Sequence, residues 1–365
     1  MPEPLLEVED LRVTFRSRQG AVAAVDGLSF TLHAGEVLAI VGESGSGKSV
    51  SMMSILKLIR DPNCVVEGSA RFLGRDLVAM RDKELRALRG KDLAMIFQDP
   101  MTSLTPVYTV GWHIIEQIRA HEPVSKAVAR QRAITLLEEV GIPDPQRRVD
   151  DYPHQFSGGM RQRAVIAMAL ANNPKVLIAD EPTTALDVTT QAQILALLQR
   201  LRRDHGSSII LITHDMGVVS ETADRVLVMY AGRAVEHGSR EDVFRRPNHP
   251  YTWGLLGSVP RVGAPRQRRL PTIPGSPISV EAVPSGCPFQ PRCRYRHDHC
   301  VERPPLEGVG EHVDACWLPR GDRQALRARN NAVAVAEGDP GDTTDAPAAT
   351  EVLSAPLPSP KLEVP

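Results

Sequence analysis

The run Gly42, Glu43, Ser44, Gly45, Ser46, Gly47, Lys48 and Ser49 follows the pattern G-x-x-x-x-G-K-[ST]. It stands between an apolar stretch and a helix-like segment, the context that pattern needs. Glycines let the backbone curl so that several N–H groups face one anion, and the start of the following helix adds a favourable dipole. Lys48 would reach the β- and γ-phosphates of a nucleotide, and the Ser49 hydroxyl would ligate Mg2+. A Gly/Ser turn before an ordinary helix is the plainer reading. Far along the chain, the apolar run 176–179 ends in Asp180 and Glu181. Adjacent acids at the C-terminal end of a parallel strand stand where α/β folds bind ligands. Asp180 can then join a Mg2+ shell while Glu181 polarises a water for attack, the plainer alternative being a simple strand end. Between the two groups, Phe156, Ser157, Gly158, Gly159 and Met160 lead into an apolar-rich helix. Ser157 reads as its N-cap, and the glycines expose N–H groups that form a further anion site or an ordinary helix start.

A third group is made of Cys287, Cys293, Cys300 and Cys316, with gaps of five, six and fifteen residues and with Pro288 and Pro291 in the first gap. Zinc modules hold ligand pairs about two to four residues apart, so these wider loops suit a larger object. Four thiolates on irregular backbone suit a [4Fe–4S] cluster. Zinc, with His297, His299 or His312 completing a mixed site, and unligated buried cysteines remain as alternatives. Cys64 stands apart and reads as a small buried or loop residue.

The elements that must position these groups follow from periodicity. Short β-rich runs occupy 5–8, 11–15, 28–32 and 37–41, broken by Gly20, Gly27 and Gly35. The spacing of Met52, Met53, Ile55, Leu56, Leu58 and Ile59 predicts a helix over 49–59 lying on a sheet. A helical insert is expected over about 100–172, marked by Ile114, Ile115, Ile118 and then Ala133, Ile134, Leu137 and Val140. Strand patterns return at 176–179, 209–213 and 226–229, the first two separated by a helix over 188–203, which implies parallel βαβ order. Beyond 247 the texture turns to Pro, Arg and Cys, so a separate loop-rich module is expected over 247–330, after a first domain over 1–246. From Ala336 to 365 six prolines among Ala, Asp and Thr predict a disordered tail. No internal repeat is present.

Composition narrows the function classes. Among 365 residues, 43 Lys+Arg face 44 Asp+Glu, 42% are apolar and 4% aromatic, as in a soluble globular protein of two or three domains. A formal charge of −1 gives no whole-molecule attraction to phosphate backbones, which argues against a generic nucleic-acid coat protein while leaving room for local basic clusters. No run of about 18 uncharged apolar residues occurs, and the start Met1-Pro2-Glu3-Pro4 lacks a signal-peptide pattern. A cytosolic chain is therefore expected, and in that reducing compartment clustered cysteines point to a metal or cluster before disulfides.

In their order, Gly42 to Ser49, Gln98, Ser157-Gly158-Gly159, Asp180-Glu181, Leu186-Asp187 and His214 resemble the motif set of an ABC-type ATPase. The resemblance spans 5 to about 245 and implies an α/β P-loop NTPase fold: a parallel core sheet, an antiparallel β edge subdomain and a helical insert. It implies two such domains packed head to tail around two ATP molecules, with Ser157 and Gly159 contacting the γ-phosphate held by the partner. By the same resemblance Gln98 senses Mg2+ and the attacking water, His214 holds the γ-phosphate, Asp187 crosses the seam and Phe15 stacks on adenine. Phe156 and Met160 replace the usual Leu and Gln of the signature, at positions that do not carry its Ser and Gly chemistry.

The stretch Tyr152 to Arg163, the run Asp180 to Thr190, Asn248-His249-Pro250-Tyr251 and the cysteine-rich end are similar to the ATPase subunits of bacterial oligopeptide and dipeptide importers, over about 320 residues. That likeness implies a [4Fe–4S] cluster on the four cysteines. It also implies a peripheral subunit at the cytoplasmic face of the inner membrane, docked through residues 100–112 on two transmembrane permease subunits. A second, homologous ATPase subunit and an extracytoplasmic solute-binding protein complete the implied complex. Importers of nickel or another small solute, and an iron–sulfur redox-sensing ATPase, are the alternatives. DNA-repair relatives insert a long coiled coil, whereas 58 residues separate Gln98 from Ser157 with no sustained heptads.

Overall fold

The computed structural model describes residues 3–18, 20–184, 186–258 and 272–336. The chain opens with β1 (Leu6–Ser17), β2 (Gly20–Leu32), β3 (Val37–Val41) and α1 (Lys48–Ile55), then β4 (Cys64–Phe72), β5 (Arg75–Asp76), α2 (Asp82–Leu88) and β6 (Leu93–Ile96). A helical stretch follows: α3 (Pro100–Ser103), α4 (Val110–Arg119), α5 (Lys126–Glu139), α6 (Pro145–Arg148) and α7 (Gly158–Leu170). Next come β7 (Val176–Asp180), α8 (Val188–His205), β8 (Ser208–Thr213), α9 (Met216–Thr222), β9 (Arg225–Tyr230), β10 (Arg233–Ser239), α10 (Arg240–Arg245) and α11 (Pro250–Gly257). Among the described residues the chain finishes with β11 (Glu307–Val309), β12 (His312–Asp314) and α12 (Arg320–Ala336).

Two sheets result. An antiparallel sheet has the order β2-β1-β4-β5, and a mixed sheet of eight strands the order β11-β12-β10-β9-β3-β8-β7-β6. Strands β9, β3, β8, β7 and β6 run parallel. Their sequences are apolar at almost every position because both faces are covered. In β3 successive side chains alternate: Leu38 and Ile40 join the cluster built with β1, β2, β4 and α1, while Ala39 and Val41 join Tyr230, Val243 and Tyr251 on the other face. The helical stretch closes a third cluster with Ala94, Ile96, Leu177 and Ala179.

The differences from expectation have local causes. The runs 5–8 and 11–15 form one strand, β1, with a register shift between Val8 and Leu11 where Asp10 takes a left-handed φ of 47°. The helix expected over 49–59 stops at Ile55. Lys57 turns left-handed at φ 48° and the Leu58 N–H bonds back to the Met53 carbonyl, a Schellman-type stop.

The segment beyond 247 is packed onto the rest of the chain: β12 pairs with β10, and Cys287, Phe289 and Cys300 share one core with Val41, Tyr230 and Tyr251. Helix α12 was not expected, being strongly polar; Arg323 ties it down by donating to Asp314 at 2.7 Å. The tail expected to be disordered lies, from 337 onward, outside the described residues.

Phe289 is 3% exposed and meets Tyr230 and Tyr251 at ring distances of 5.3 and 5.4 Å. Its truncation to Ala is expected to cost about 3–4 kcal/mol, read as a lowered urea midpoint together with faster proteolysis beyond residue 247; an unchanged midpoint would show that the segment is held elsewhere.

Candidate functional site

The order β3-β8-β7-β6 brings four chain crossings side by side, and each strand ends in a group singled out from sequence. The register pairs Val41 with Thr213, Ile212 with Asp180, and Ala179 with Ile96. The C-terminal edge therefore presents, in adjacent positions, the loop 42–49, His214, Asp180 with Glu181, and Gln98. This is the place where open α/β sheets bind ligands.

The loop needs its glycines at two points. At Gly42, φ is 155° and a Cβ would lie 2.2 Å from the Met229 carbonyl oxygen; at Gly47, φ is 96° and a Cβ would lie 2.5 Å from that of Ala24. Gly47 occupies the N-cap of α1 with no side-chain cap, so the first N–H groups of that helix face the loop. Lys48 bends over the loop and donates to the carbonyls of Gly42 at 2.8 Å and Glu43 at 2.9 Å. Burial pushes its ammonium group below the ordinary value, against the pull of Glu181, Asp180 and Glu43. Three carboxylates thus surround the one lysine of a loop suited to an anion.

Each carboxylate has its own environment. Asp180 accepts from the Ser49 hydroxyl at 2.9 Å, and burial raises its pKa, with nearby Glu181 adding to the rise. These two oxygen-bearing groups can share one hard cation. Glu181 turns away from the strand with a left-handed φ of 45°, its N–H bonded to the Ile212 carbonyl. Its carboxylate accepts from Gln98 at 3.0 Å and Thr184 at 2.9 Å, and lies 3.2 Å from His214 Nδ1. Burial pushes this carboxyl up, but hydrogen bonds from Thr184 and His214 outweigh it and hold the pKa below the ordinary value. An ionised carboxylate only accepts, so His214 Nδ1 carries the proton.

The remaining expected residues lie elsewhere. Ser157 caps α7, accepting the Met160 N–H at 3.3 Å. Ser157 and Gly158 are exposed, while a Cβ on Gly159 would come 2.8 Å from Thr190 at the start of α8. Asp187 caps α8: its carboxylate accepts the N–H and the hydroxyl of Thr190 at 3.0 and 2.7 Å, which holds its pKa low. Phe15 is half-buried on β1, opposite Val22 and Cys64.

Of the four cysteines, Cys287 and Cys300 are buried, and none is in a disulfide. The Cys287 N–H donates to the Cys300 carbonyl at 3.0 Å. Burial pushes the Cys293 and Cys316 thiols up to about 12, and Cys293 is raised further by Cys316, Cys287 and Cys300, so the four lie within electrostatic reach of one another. Among the described residues no group of three or more His, Cys, Asp or Glu is placed to hold a metal ion. His312 is already committed to Glu236 at 2.8 Å, and His299 packs against Trp317.

Two sets of contacts escaped the sequence. Thr184 holds Glu181, and its place three residues after the acid is a turn signal that could have shown it. Arg292 forks onto Glu43 at 2.6 and 3.0 Å, while the Tyr251 hydroxyl accepts the Glu43 N–H at 2.8 Å. An acid inside a phosphate-binding loop was the available signal, but nothing in the sequence names its partner.

Comparisons with known proteins agree in kind. The family described as ABC transporter matches residues 25–184, and that described as Oligopeptide/dipeptide transporter, C-terminal region, matches residues 235–300. The chain is 51% identical over 322 residues to the oligopeptide transport ATP-binding protein OppD of Salmonella typhimurium, covering 87% of this chain and 96% of that one. It is 50% identical over 343 residues to the dipeptide transport ATP-binding protein DppD of Bacillus subtilis, covering 93% and 100%. Among solved structures, the dimeric ATP-binding cassette MJ0796 bound to ADP and Pi has a TM-score of 0.58 at 27% identity, over 64% of this chain and 98% of that chain. CbiO1 from Clostridium perfringens has a TM-score of 0.56 at 29% identity, over 67% and 92%.

The two acids couple to pH in opposite senses. The folded chain binds the Asp180 proton more tightly than the unfolded chain, whose carboxyl titrates near 3.8, so this group adds stability as pH falls toward that value. Glu181 contributes stability above its unfolded value of 4.5, lost as pH falls through its lowered folded value. Asp180→Asn is therefore expected to raise the thermal midpoint of the free chain by roughly 2–4 °C at neutral pH, with the gain shrinking on acidification. A lowered midpoint at neutral pH would contradict the burial cost assigned to Asp180.

Proposed function

The chain belongs to the ATP-binding subunits of the ABC transporter family, and from that premise we propose that it hydrolyses ATP to power the import of oligopeptides or dipeptides. One observation carries the catalytic part: Gln98, Thr184 and His214 converge on the single carboxylate of Glu181, beside a loop whose Ser49 is bonded to Asp180. The peptide substrate class is supported by 50–51% identity to relatives named for oligopeptide and dipeptide transport.

In this reading the N–H groups of Ser44 to Ser49 and the Lys48 ammonium bind the phosphates, the incoming polyanion replacing the carbonyls that Lys48 now holds. Ser49 and Asp180 would hold Mg2+, which supplies charge neutralisation on the phosphate oxygens. Glu181, kept ionised by its partners, takes the proton of the attacking water. Gln98 orients that carboxylate and the metal site, and His214 presents its free ring edge to the γ-phosphate. Phe15 would flank the adenine.

Ser157, Gly158 and Asp187 are exposed and Gly159 is half-buried beside them, so they would act on the nucleotide of a second ATPase subunit, a reading supported by the dimeric state of the cassette similar to this chain. Residues 1–246 would form the ATPase unit, with 100–172 as its helical part and 247–330 as the extension. Permease docking is supported by an exposed apolar patch after β6: Val107 is 70% exposed, Tyr108 43% and Trp112 37%, with the last two rings stacked at 3.8 Å. No helix among the described residues is long and apolar enough to cross a membrane. The subunit would therefore sit peripherally on two transmembrane permeases, at the cytoplasmic face, and meet the solute-binding protein only through them.

Cys287, Cys293, Cys300 and Cys316 would hold a [4Fe–4S] cluster. Four thiols in mutual electrostatic reach and free of disulfides support that reading, on irregular backbone of the kind such clusters use. A bound cation would also stabilise thiolates that burial otherwise disfavours. Cys293→Ser is then expected to lower iron and acid-labile sulfide in anaerobically purified chain to less than half; equal iron content would remove the assignment.

For the reaction itself, Glu181→Gln should leave the Kd for Mg-ATP within about threefold while cutting turnover by 100-fold or more, the range of a lost general base. Normal turnover in that variant would refute the role of Glu181.

A further inference from the structure

We propose that Arg292 and Tyr251, both from the segment beyond 247, are positioning residues for nucleotide binding: together they hold Glu43 so that the loop 42–49 can accept a polyphosphate. The inference rests on the reading of that loop as an ATP site. Glu43 is fixed from three sides. Its carboxylate takes the Arg292 fork, its N–H goes to the Tyr251 hydroxyl, and its carbonyl accepts from Lys48 at 2.9 Å.

The Arg292 guanidinium spends all of its donors at this point. Besides the two bonds to Glu43 it donates to the carbonyls of Pro274 at 2.8 Å and Gly275 at 3.2 Å, and to the Tyr230 hydroxyl at 3.3 Å. Its side chain is 6% exposed and that of Glu43 23%. A five-donor planar fork in a fixed cage is a demand that lysine cannot meet. Tyr251 is fully buried, with its ring 4.7 Å from that of Tyr230 and 5.4 Å from that of Phe289, so its hydroxyl cannot swing away.

Two consequences follow for a ligand. Charge is the first: an unpaired Glu43 carboxylate would repel the triphosphate from within its own binding loop, and Arg292 cancels that charge at hydrogen-bond distance. Backbone direction is the second. With the Glu43 N–H turned to Tyr251, the loop's remaining N–H groups are left to the anion, and the Glu43 carbonyl stays within reach of Lys48. Neither residue need touch the nucleotide.

The test measures the Kd for Mg-ATP on the full chain, with thermal unfolding as a check of folding. Arg292→Gln is expected to weaken ATP binding about tenfold, since it leaves a partly buried carboxylate unpaired, and adding Glu43→Gln is expected to bring the Kd back within about threefold of the parent. In the assembled transporter the single variant should raise KM for ATP and leave kcat within about twofold, the signature of lost uniform binding. An unchanged Kd in Arg292→Gln overturns the proposal, and so does a loss that Glu43→Gln does not relieve, which would mark Arg292 as packing only. If Arg292→Gln does not fold, Tyr251→Phe decides: a rise in Kd of about threefold is expected from the lost acceptor, and an unchanged Kd overturns the proposal. A parent chain that fails to bind ATP overturns the reading of the loop itself, and is thereby told apart from failure of this inference.

Discussion

A loop suited to a polyanion is built here among three carboxylates, Glu43, Asp180 and Glu181, with one lysine between them, and the surrounding structure is organised by the need to keep those charges apart in function. Coulomb repulsion at such range is too large to leave unmanaged away from bulk water. The three acids are handled in three ways. Glu43 is cancelled by Arg292; Asp180 is buried beside Ser49, where a proton or a cation is favoured; Glu181 is kept charged by Thr184, His214 and Gln98. The same functional group, a carboxyl, thus takes three protonation or pairing states within one site, set by neighbours and not by sequence position.

Much of this was legible beforehand because it depends on local backbone. The glycines of the loop, the uncapped start of α1, the Ser157 cap and the apolar strand ending in two acids are all short-range patterns, and each appears where the residues put it. The parallel core was legible for a related reason. Strands buried on both faces must be apolar throughout, and runs such as 176–179 and 209–213 carry that mark. Strand order then did the rest, placing Gln98, Glu181 and His214 on neighbouring strand ends although they are far apart in the chain.

What stayed hidden depends on distant, polar or irregular partners. The segment beyond 247 shows no periodicity, because it is ordered by buried polar pairs and by aromatic contacts with the core. Glu236, fully buried, takes the N–H groups of Asn248 and His249 together with His312. Asp314 takes Arg320 and Arg323, which fastens a helix whose composition alone would suggest a solvated coil. Pairs of this kind leave no spacing rule in the sequence. The tie between this segment and the loop was hidden for the same reason, since an arginine among many gives no sign that it reaches back 249 residues to Glu43.

The backbone at Glu181 shows how the site's strain is balanced. A non-glycine residue with φ of 45° costs about 1–3 kcal/mol, and glycine would remove that cost. Glycine cannot stand here, however, because the turn is held partly by the side chain itself: its two oxygens tie to Thr184, Gln98 and His214, on three different chain segments. The left-handed turn takes Glu181 out of the strand that Asp180 ends, and one acid faces Ser49 while the other faces Gln98. Were residue 181 to continue the strand, its side chain would follow the sheet's alternation and leave the edge on which Gln98 and His214 stand. The strained φ therefore accompanies the aim of Glu181 at Gln98 and His214, apart from the Ser49 contact of Asp180.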